Sequence, residues 1–307
     1  MSDINRRKKK TKQKADPFII MAYGLGAVIV LVCAIIIIAI LVKENNAEPV
    51  QELVSIDFES EAEDVSENTK EISEELEQSE RESEIASVIA NWESIPAGTV
   101  LEAEDIDWNN LSQYFMAYEI SDEVYHYIND KSYRENENVS LADLRYMKLL
   151  HYNFDHELQV VELIVSSELQ EDYIGIFTEL FAAEYEIQSM YLPDRYWTGD
   201  PTDTDTASID DNNTSCFLYR PATGSSKLSM HSYGRAIDIN PQQNPYVSYR
   251  TGEPVWEHEN ANDYIDRTTG LPHVITEEDI CYQIFVKYGF EWGGEWTNIK
   301  DYQHFEK

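Results

Sequence analysis

Two short blocks near the C-terminus, residues 220–240 and 301–307, constrain this chain more than any other feature. In the first block, Asp238 and its neighbours at every second position alternate with two isoleucines, which is the period of a strand with one apolar face. The pattern predicts that the Asp238 carboxylate lies opposite the apolar core and faces a cleft. His231 stands seven residues earlier, and Gly234 permits the chain to bend between these two side chains.

The second block adds Asp301 and His304, which are three residues apart. Side chains at that spacing point to opposite faces of an ideal strand, so both reach one site only if the chain turns near residues 300–302. His231, Asp238 and His304 then form a set of two histidines and one carboxylate, which holds zinc and leaves one position open for water. Asp301 is a candidate acceptor for a proton from that water.

The N-terminal region has a different character from the rest of the chain. The first 17 residues include seven Lys or Arg, and Phe18–Val42 contains no charged side chain. As a helix this run is about 37 Å long, which is enough to cross a hydrocarbon core. We therefore expect a single-pass anchor in the cell membrane, with a cytoplasmic N-terminus and an extracytoplasmic remainder. The alternative is a signal peptide, whose apolar core is shorter, about 7–15 residues.

The portion beyond the apolar run is strongly acidic. The chain has 23 basic and 58 acidic residues, a formal net charge of −35, and residues 1–43 hold eight of the basic ones. An acidic surface repels both nucleic acid and anionic lipid headgroups, so neither is expected as a partner.

The three cysteines do not form a disulfide framework. Cys33 lies in the apolar run, whereas Cys216 and Cys281 lie in the acidic portion. Two cysteines of an exported domain could pair, but a domain of this size needs no disulfide to fold. Two free, buried thiols are therefore the favoured state.

Composition divides the chain into five parts. They are a basic cytoplasmic tail (1–17), a transmembrane helix (18–42), an acidic extracytoplasmic linker (43–96), a lead-in subregion (97–140) and a C-terminal domain (141–307). The linker is nearly all Glu, Ser, Asp, Asn and Gln, and it buries too little apolar surface to fold, so a disordered stalk is expected. A transient helix or weak coiled coil is the alternative, although sustained apolar heptads are absent.

Periodicity and turn residues predict the elements of the C-terminal domain. The predicted helices are 141–150, 167–185 and 276–288, the predicted strands are 158–165 and 187–191, and the predicted loop is 197–213. The loop is assigned because it consists almost wholly of Gly, Asp, Thr, Pro, Ser and Asn, and a loop of that length is usually functional or mobile.

Six further residues receive ordinary interpretations. Two histidines are interpreted as structural and two as surface residues, namely His151 and His156, then His258 and His273. Trp292 and Trp296 either line a groove or pack in the core.

Three blocks carry a resemblance to a known family: Ser229-x-His231-x-x-Gly-x-Ala-x-Asp238-x-Asn, Gly289-Phe-Glu-Trp-Gly-Gly-Glu-Trp296 and Asp301-x-x-His304-Phe. Together they resemble the M15 family of zinc D-Ala-D-Ala peptidases over about residues 141–307. That family includes VanY- and VanX-like D,D-peptidases and the L-Ala-D-Glu endopeptidases of cell-wall lysins.

The resemblance implies an α+β fold with helices beside a small antiparallel sheet. It implies Zn²⁺ bound by His231, Asp238 and His304, with Asp301 as general base and Arg220 stabilising the developing oxyanion. It also implies hydrolysis of peptidoglycan stem peptides, as a D-alanyl-D-alanine carboxypeptidase in the first place. The alternatives are an L-Ala-D-Glu-type endopeptidase and a non-catalytic wall-binding ectodomain. A degenerate copy would be expected to lose one of these five residues, so the complete set favours an enzyme.

Overall fold

The computed structural model describes residues 58–307, with side chains from residue 73 onward. Its first element is a long helix, α1 (Phe58–Ala90). The side chains of residues 73–84 are all exposed, so no apolar face holds this part of the helix, whereas Val88 and Ile89 pack against the main core.

Over Phe58–Ala90, helix α1 corrects the prediction of a disordered acidic stalk, which was made for residues 43–96; residues 43–57 lie outside the described part of the chain. Glutamate is a good helix former, and residues 58–90 contain neither glycine nor proline to interrupt a helix. Pairs four residues apart add support, as in the hydrogen bond of 3.1 Å from Gln78 Nε2 to Glu82 Oε1. Low apolar content prevented a core, but it did not prevent a helix.

The predicted fold class is corrected in its N-terminal part. Within residues 58–307 no helix is both long and apolar enough to span a bilayer. The run 18–42, on which the membrane helix was predicted, lies outside the described residues. The described chain is α+β with small antiparallel sheets, as predicted for the C-terminal region.

The larger sheet has four antiparallel strands in the order β1-β4-β3-β2. Their bounds are β1 (Val100–Leu101), β2 (Phe115–Tyr118), β3 (Leu144–Tyr152) and β4 (Leu158–Ser166). Two helices belong to this region, α2 (Asp122–Ile128) and α3 (Gln170–Ala182). Buried side chains of α3, including Ile176 and Phe177, join the main core with apolar residues of β3 and β4. Strands of the predicted lead-in subregion and of the C-terminal domain share this sheet.

The C-terminal part adds two small antiparallel sheets, ordered β5-β9-β7 and β6-β8. Their strands are β5 (Ala236–Asp238), β6 (Tyr246–Ser248), β7 (Glu291–Trp292), β8 (Ile299–Asp301) and β9 (His304–Glu306). The helices here are α4 (Pro201–Asp210) and α5 (Ile280–Lys287). The register of β5 with β9 places Asp238 directly opposite His304.

Several predicted elements are confirmed. Strand 158–165 is β4, and the predicted helices 167–185 and 276–288 contain α3 and α5, which begin a few residues later. The predicted strand 187–191 is wrong, because this segment forms only an isolated bridge between Ser189 and Asn213. Cys216 and Cys281 are buried and free, as predicted.

Two further predicted elements are wrong. Residues 144–152 form strand β3, not a helix, because this strand is buried on both faces and its apolar residues therefore do not alternate. Residues 201–210 form helix α4, not a loop. Asp200 caps this helix by accepting hydrogen bonds from the amides of Thr202 and Asp203 at 2.7 and 3.3 Å, and Pro201 occupies its first position.

His151 is a buried histidine of β3. Its side chain is 3% exposed, Nε2 lies 3.3 Å from Gln159 Oε1, and Nδ1 has no hydrogen-bond partner. Burial lowers the pKa of His151 to about 4. The folded protein therefore holds this imidazole neutral, with the proton on Nε2.

This histidine predicts a loss of stability in mild acid. Below a pH of about 6.5 the unfolded chain binds a proton that folded His151 does not accept until about pH 4. The free energy of unfolding should therefore fall by about 2–3 kcal/mol from this group between pH 7.5 and 4.5. Urea unfolding at pH 7.5 and at pH 4.5 measures this difference in free energy. His151→Leu should remove the contribution of His151, whereas the exposed His126→Asn should leave it unchanged. Equal pH dependence in His151→Leu and the parent would contradict the assignment.

Candidate active site

His231 is presented by a short 3-10 turn, Met230–Tyr233. Ser229 caps the turn, because its Oγ accepts a hydrogen bond of 3.3 Å from the amide of His231. Gly234 ends the turn in the left-handed region with φ 64°, and a Cβ there would lie 2.5 Å from the amide nitrogen of Ser166. Only glycine fits this bend, in agreement with the sequence-based expectation.

The structure brings His231, Asp238 and His304 together. His304 Nδ1 lies 3.0 Å from Asp238 Oδ1, His231 Nε2 lies 3.2 Å from Asp238 Oδ2, and the two ring nitrogens are 3.2 Å apart. All three residues are at most 6% exposed. They are the one such group of potential metal ligands within the part of the chain that the structure describes.

The donor set fits a zinc ion. Ligands about 2.0–2.1 Å from a tetrahedral zinc stand about 3.3 Å from one another, which is close to the observed separations. His231 Nδ1 lies 2.6 Å from the carbonyl oxygen of Cys216, and His304 Nε2 lies 3.0 Å from Glu306 Oε2. Each ring therefore donates its outer N–H to an oxygen and turns its other nitrogen towards its partners, as metal-binding histidines do.

The charges at this cluster favour an added cation. Burial opposes the charge on His304, but its hydrogen bonds to Asp238 and Glu306 outweigh burial and raise its pKa to about 10. Burial also opposes the charge on Asp238, but His231 and His304 outweigh it and lower the pKa of that carboxyl. The buried carboxylate is thus stabilised by the charge and hydrogen bonds of the two rings, and a bound cation would supply the same kind of positive charge.

Asp301 ends strand β8, and a turn at residues 302–303 separates it from His304, as the spacing required. The pKa of Asp301 is raised to about 7, chiefly by burial; the charge on His304 opposes this rise, and the charge on Asp238 adds to it. Its Oδ1 is buried and has no hydrogen-bond partner. Gly293 allows this approach, because a Cβ there would lie 2.6 Å from the carbonyl oxygen of Asp301.

Arg220 is 7% exposed and is held by an ion pair that the sequence did not reveal. Its Nη2 lies 2.7 Å from Asp205 Oδ2, its Nη1 donates to the carbonyl oxygen of Pro221 at 3.2 Å, and its buried Nε has no partner. Asp205 belongs to α4, the helix that was predicted to be a loop. The sequence signal for this helix is the pair Asp200-Pro201, in which an N-cap residue precedes a proline at the first helical position.

A cleft of about 740 Å³ joins these groups, with Arg220, His231, Asp238, Asp301 and His304 in its lining. Helix α4 forms one wall, and strands β6 and β8 with residues 255–258 form another. The five predicted site residues therefore meet in one cavity.

The two tryptophans take different roles, and His258 departs from its predicted one. Trp296 lines the cleft, with its ring centroid 5.3 Å from that of His304, whereas Trp292 is buried in the core. His258 was predicted to be a surface residue. Instead its side chain is 13% exposed, lines the cleft, and places Nδ1 2.7 Å from Asp210 Oδ1.

Comparison with known proteins agrees with this site. The M15 peptidase family model described as D-alanyl-D-alanine carboxypeptidase matches residues 223–307. The chain is also 33% identical over 78 residues to the peptidoglycan L-alanyl-D-glutamate endopeptidase CwlK of Bacillus subtilis (strain 168). That alignment covers 25% of this chain and 38% of the relative. No solved structure matches the chain.

These matches show that residues 223–307 resemble hydrolases of the peptidase class. More particularly, the predicted resemblance to the M15 zinc peptidases is confirmed, and it rests on residues 223–307. The matched region contains His231, Asp238, Asp301 and His304, whereas Arg220 precedes it.

Proposed function

We propose that the protein is a zinc-dependent peptidase that hydrolyses peptidoglycan stem peptides. The observation that carries this proposal is the convergence of His231, Asp238 and His304 at the floor of a cleft that also holds Asp301 and Arg220. These three residues would hold the ion, and a zinc ion bound there would supply Lewis-acid activation of water and of the scissile carbonyl.

Asp301 is the proposed general base. Its pKa of about 7 lets the carboxylate accept a proton at Oδ1 near neutral pH and return it to the leaving amine. Arg220 supplies positive charge for the oxyanion that develops at the scissile carbonyl. The ion pair with Asp205 fixes the guanidinium in the cleft, so little reorganisation is needed during the reaction.

The bond that we propose is the terminal D-Ala–D-Ala bond. The match to a family described as D-alanyl-D-alanine carboxypeptidase supports this choice, and Lys227 provides a cationic side chain in the cleft lining for a terminal carboxylate. The second candidate is cleavage between L-Ala and D-Glu, and the relative CwlK supports it. Peptidoglycan as a substrate agrees with the expected extracytoplasmic location, which stays a prediction.

Mass analysis of muropeptide digests tests this function. With zinc supplied, a pentapeptide stem should lose one alanine, whereas an endopeptidase would split the stem after its first residue. The same chain treated with a chelator is the control and should leave the pentapeptide stem intact. Binding without any cleavage by the zinc-loaded protein would contradict the proposal and support a wall-binding role.

A further inference from the structure

The cleft contains an unpaired polar group that the proposed mechanism does not use. Among the described side chains, nine buried nitrogen or oxygen atoms lack a hydrogen-bond partner, and three of these belong to residues of the cleft lining. They are Arg220 Nε, Asp301 Oδ1 and Gln303 Oε1. An unpaired buried polar atom costs about 1–3 kcal/mol, so each one requires an explanation. Arg220 and Asp301 act in the proposed chemistry, whereas Gln303 has no role there.

Gln303 is held firmly in place beside the reacting groups. It follows Asp301 by two residues, directly precedes His304, and is 4% exposed. Its main-chain oxygen accepts a hydrogen bond of 2.9 Å from the amide of Ile239, which ties the turn to the end of β5. The backbone is therefore fixed, while within residues 73–307 the side-chain oxygen Oε1 has no hydrogen-bond partner.

The chemistry of the carboxamide identifies its ligand. A carboxamide offers both an acceptor and two donors. A carboxylate would leave Oε1 unpaired because it only accepts, and an ammonium would leave Nε2 unpaired because it only donates. A main-chain amide pairs with both, through its N–H and its carbonyl oxygen.

We infer that Gln303 forms a binding subsite for a main-chain amide of the substrate peptide, next to the scissile bond. Oε1 accepts from the N–H of that amide and Nε2 donates to a carbonyl oxygen. Because Gln303 lies in sequence between the proposed base Asp301 and the proposed metal ligand His304, the amide that it binds belongs to the peptide portion of the substrate. The inference rests on the proposed peptidase function, and it makes Gln303 a positioning residue.

A substitution to methionine separates this role from a structural one. Methionine has a similar size and removes an unpaired polar atom, so Gln303→Met should unfold at the same temperature as the parent or higher. It should keep the zinc and lose roughly 10- to 100-fold in kcat/KM on the muropeptide. Most of the loss should appear in KM, because the amide is present in both the ground state and the transition state.

Gln243 offers a matched control. It is also 4% exposed and also has an unpaired Oε1, but it is not part of the cleft lining. Gln243→Met should leave kcat and KM unchanged. Two results would overturn the subsite: unchanged kinetics in Gln303→Met, or a lower unfolding temperature with a loss confined to kcat.

Binding measured without turnover distinguishes this inference from the proposed function. Calorimetric titration of a stem pentapeptide should give a Kd roughly 10- to 100-fold weaker for Asp301→Asn/Gln303→Met than for Asp301→Asn. If the parent binds the peptide but never cleaves it, the proposed function is wrong. The subsite is then tested by the ratio of the two Kd values alone. If the two Kd values are equal, or no peptide binds, the subsite is overturned.

Discussion

Replacing Asp301 by asparagine should lower kcat by roughly 10²–10⁴-fold and leave the zinc in place, because a positioned general base contributes about that much. Asparagine keeps the size of the side chain but cannot accept the proton. Asp301 ends β8, whereas the three proposed ligands lie in a separate cluster with separations of 3.0–3.2 Å. The substitution therefore removes the base without removing a ligand.

Elemental analysis and steady-state kinetics on muropeptides measure the two effects separately. The parent protein prepared in parallel sets the zinc content and the rate. If Asp301→Asn loses the metal, Asp301 is a ligand and its assignment as the base is wrong. If the variant keeps the full rate, the proposed mechanism is wrong.

Local chemistry made the cluster predictable from the sequence. The alternation around Asp238 assigned its side chain to the polar face of a strand, and the spacing from Asp301 to His304 required the turn that the structure contains. The register of β5 with β9 was not predictable. It pairs residues 66 positions apart, and its ladder joins strands of only three residues, so no sequence pattern specifies it.

The errors arose where tertiary context or a capping signal outweighed composition. The predicted helix 141–150 has apolar residues at positions 141, 144, 147 and 150, which is the spacing of a helix. Pairing on both sides and burial on both faces nevertheless make residues 144–152 a strand. Helix α4 has a loop-like composition, and its cap at Asp200 decides the structure.

The error over α4 affected the site directly. The loop prediction missed that a helix carries Asp205 to the cleft, where its Oδ2 lies 2.7 Å from Nη2 of Arg220. An arginine identified only by resemblance thus acquires a physical reason for its fixed position.

His304→Ala should lose zinc and activity together. It removes one of three ligands, so the zinc affinity should fall by more than about 100-fold, the upper end of what loss of a ligand's hydrogen-bond partner costs. Added zinc at about 100 times the parent's Kd should raise the parent's free energy of unfolding by about 2.7 kcal/mol and leave the variant nearly unchanged.

His156→Ala is the matched control for this ligand. His156 also faces two carboxylates, Glu186 at 3.0 Å and Glu184 at 3.6 Å, but its side chain is 53% exposed and, among the described residues, it belongs to no group of three close metal ligands. Its removal should leave the zinc content and the zinc-dependent stabilisation unchanged. Unaltered zinc affinity in His304→Ala would contradict the metal site, whatever happens to the rate. Loss of zinc in His304→Ala together with its retention in Asp301→Asn separates a ligand from a base, because any general damage to the cleft would reduce metal binding in both variants.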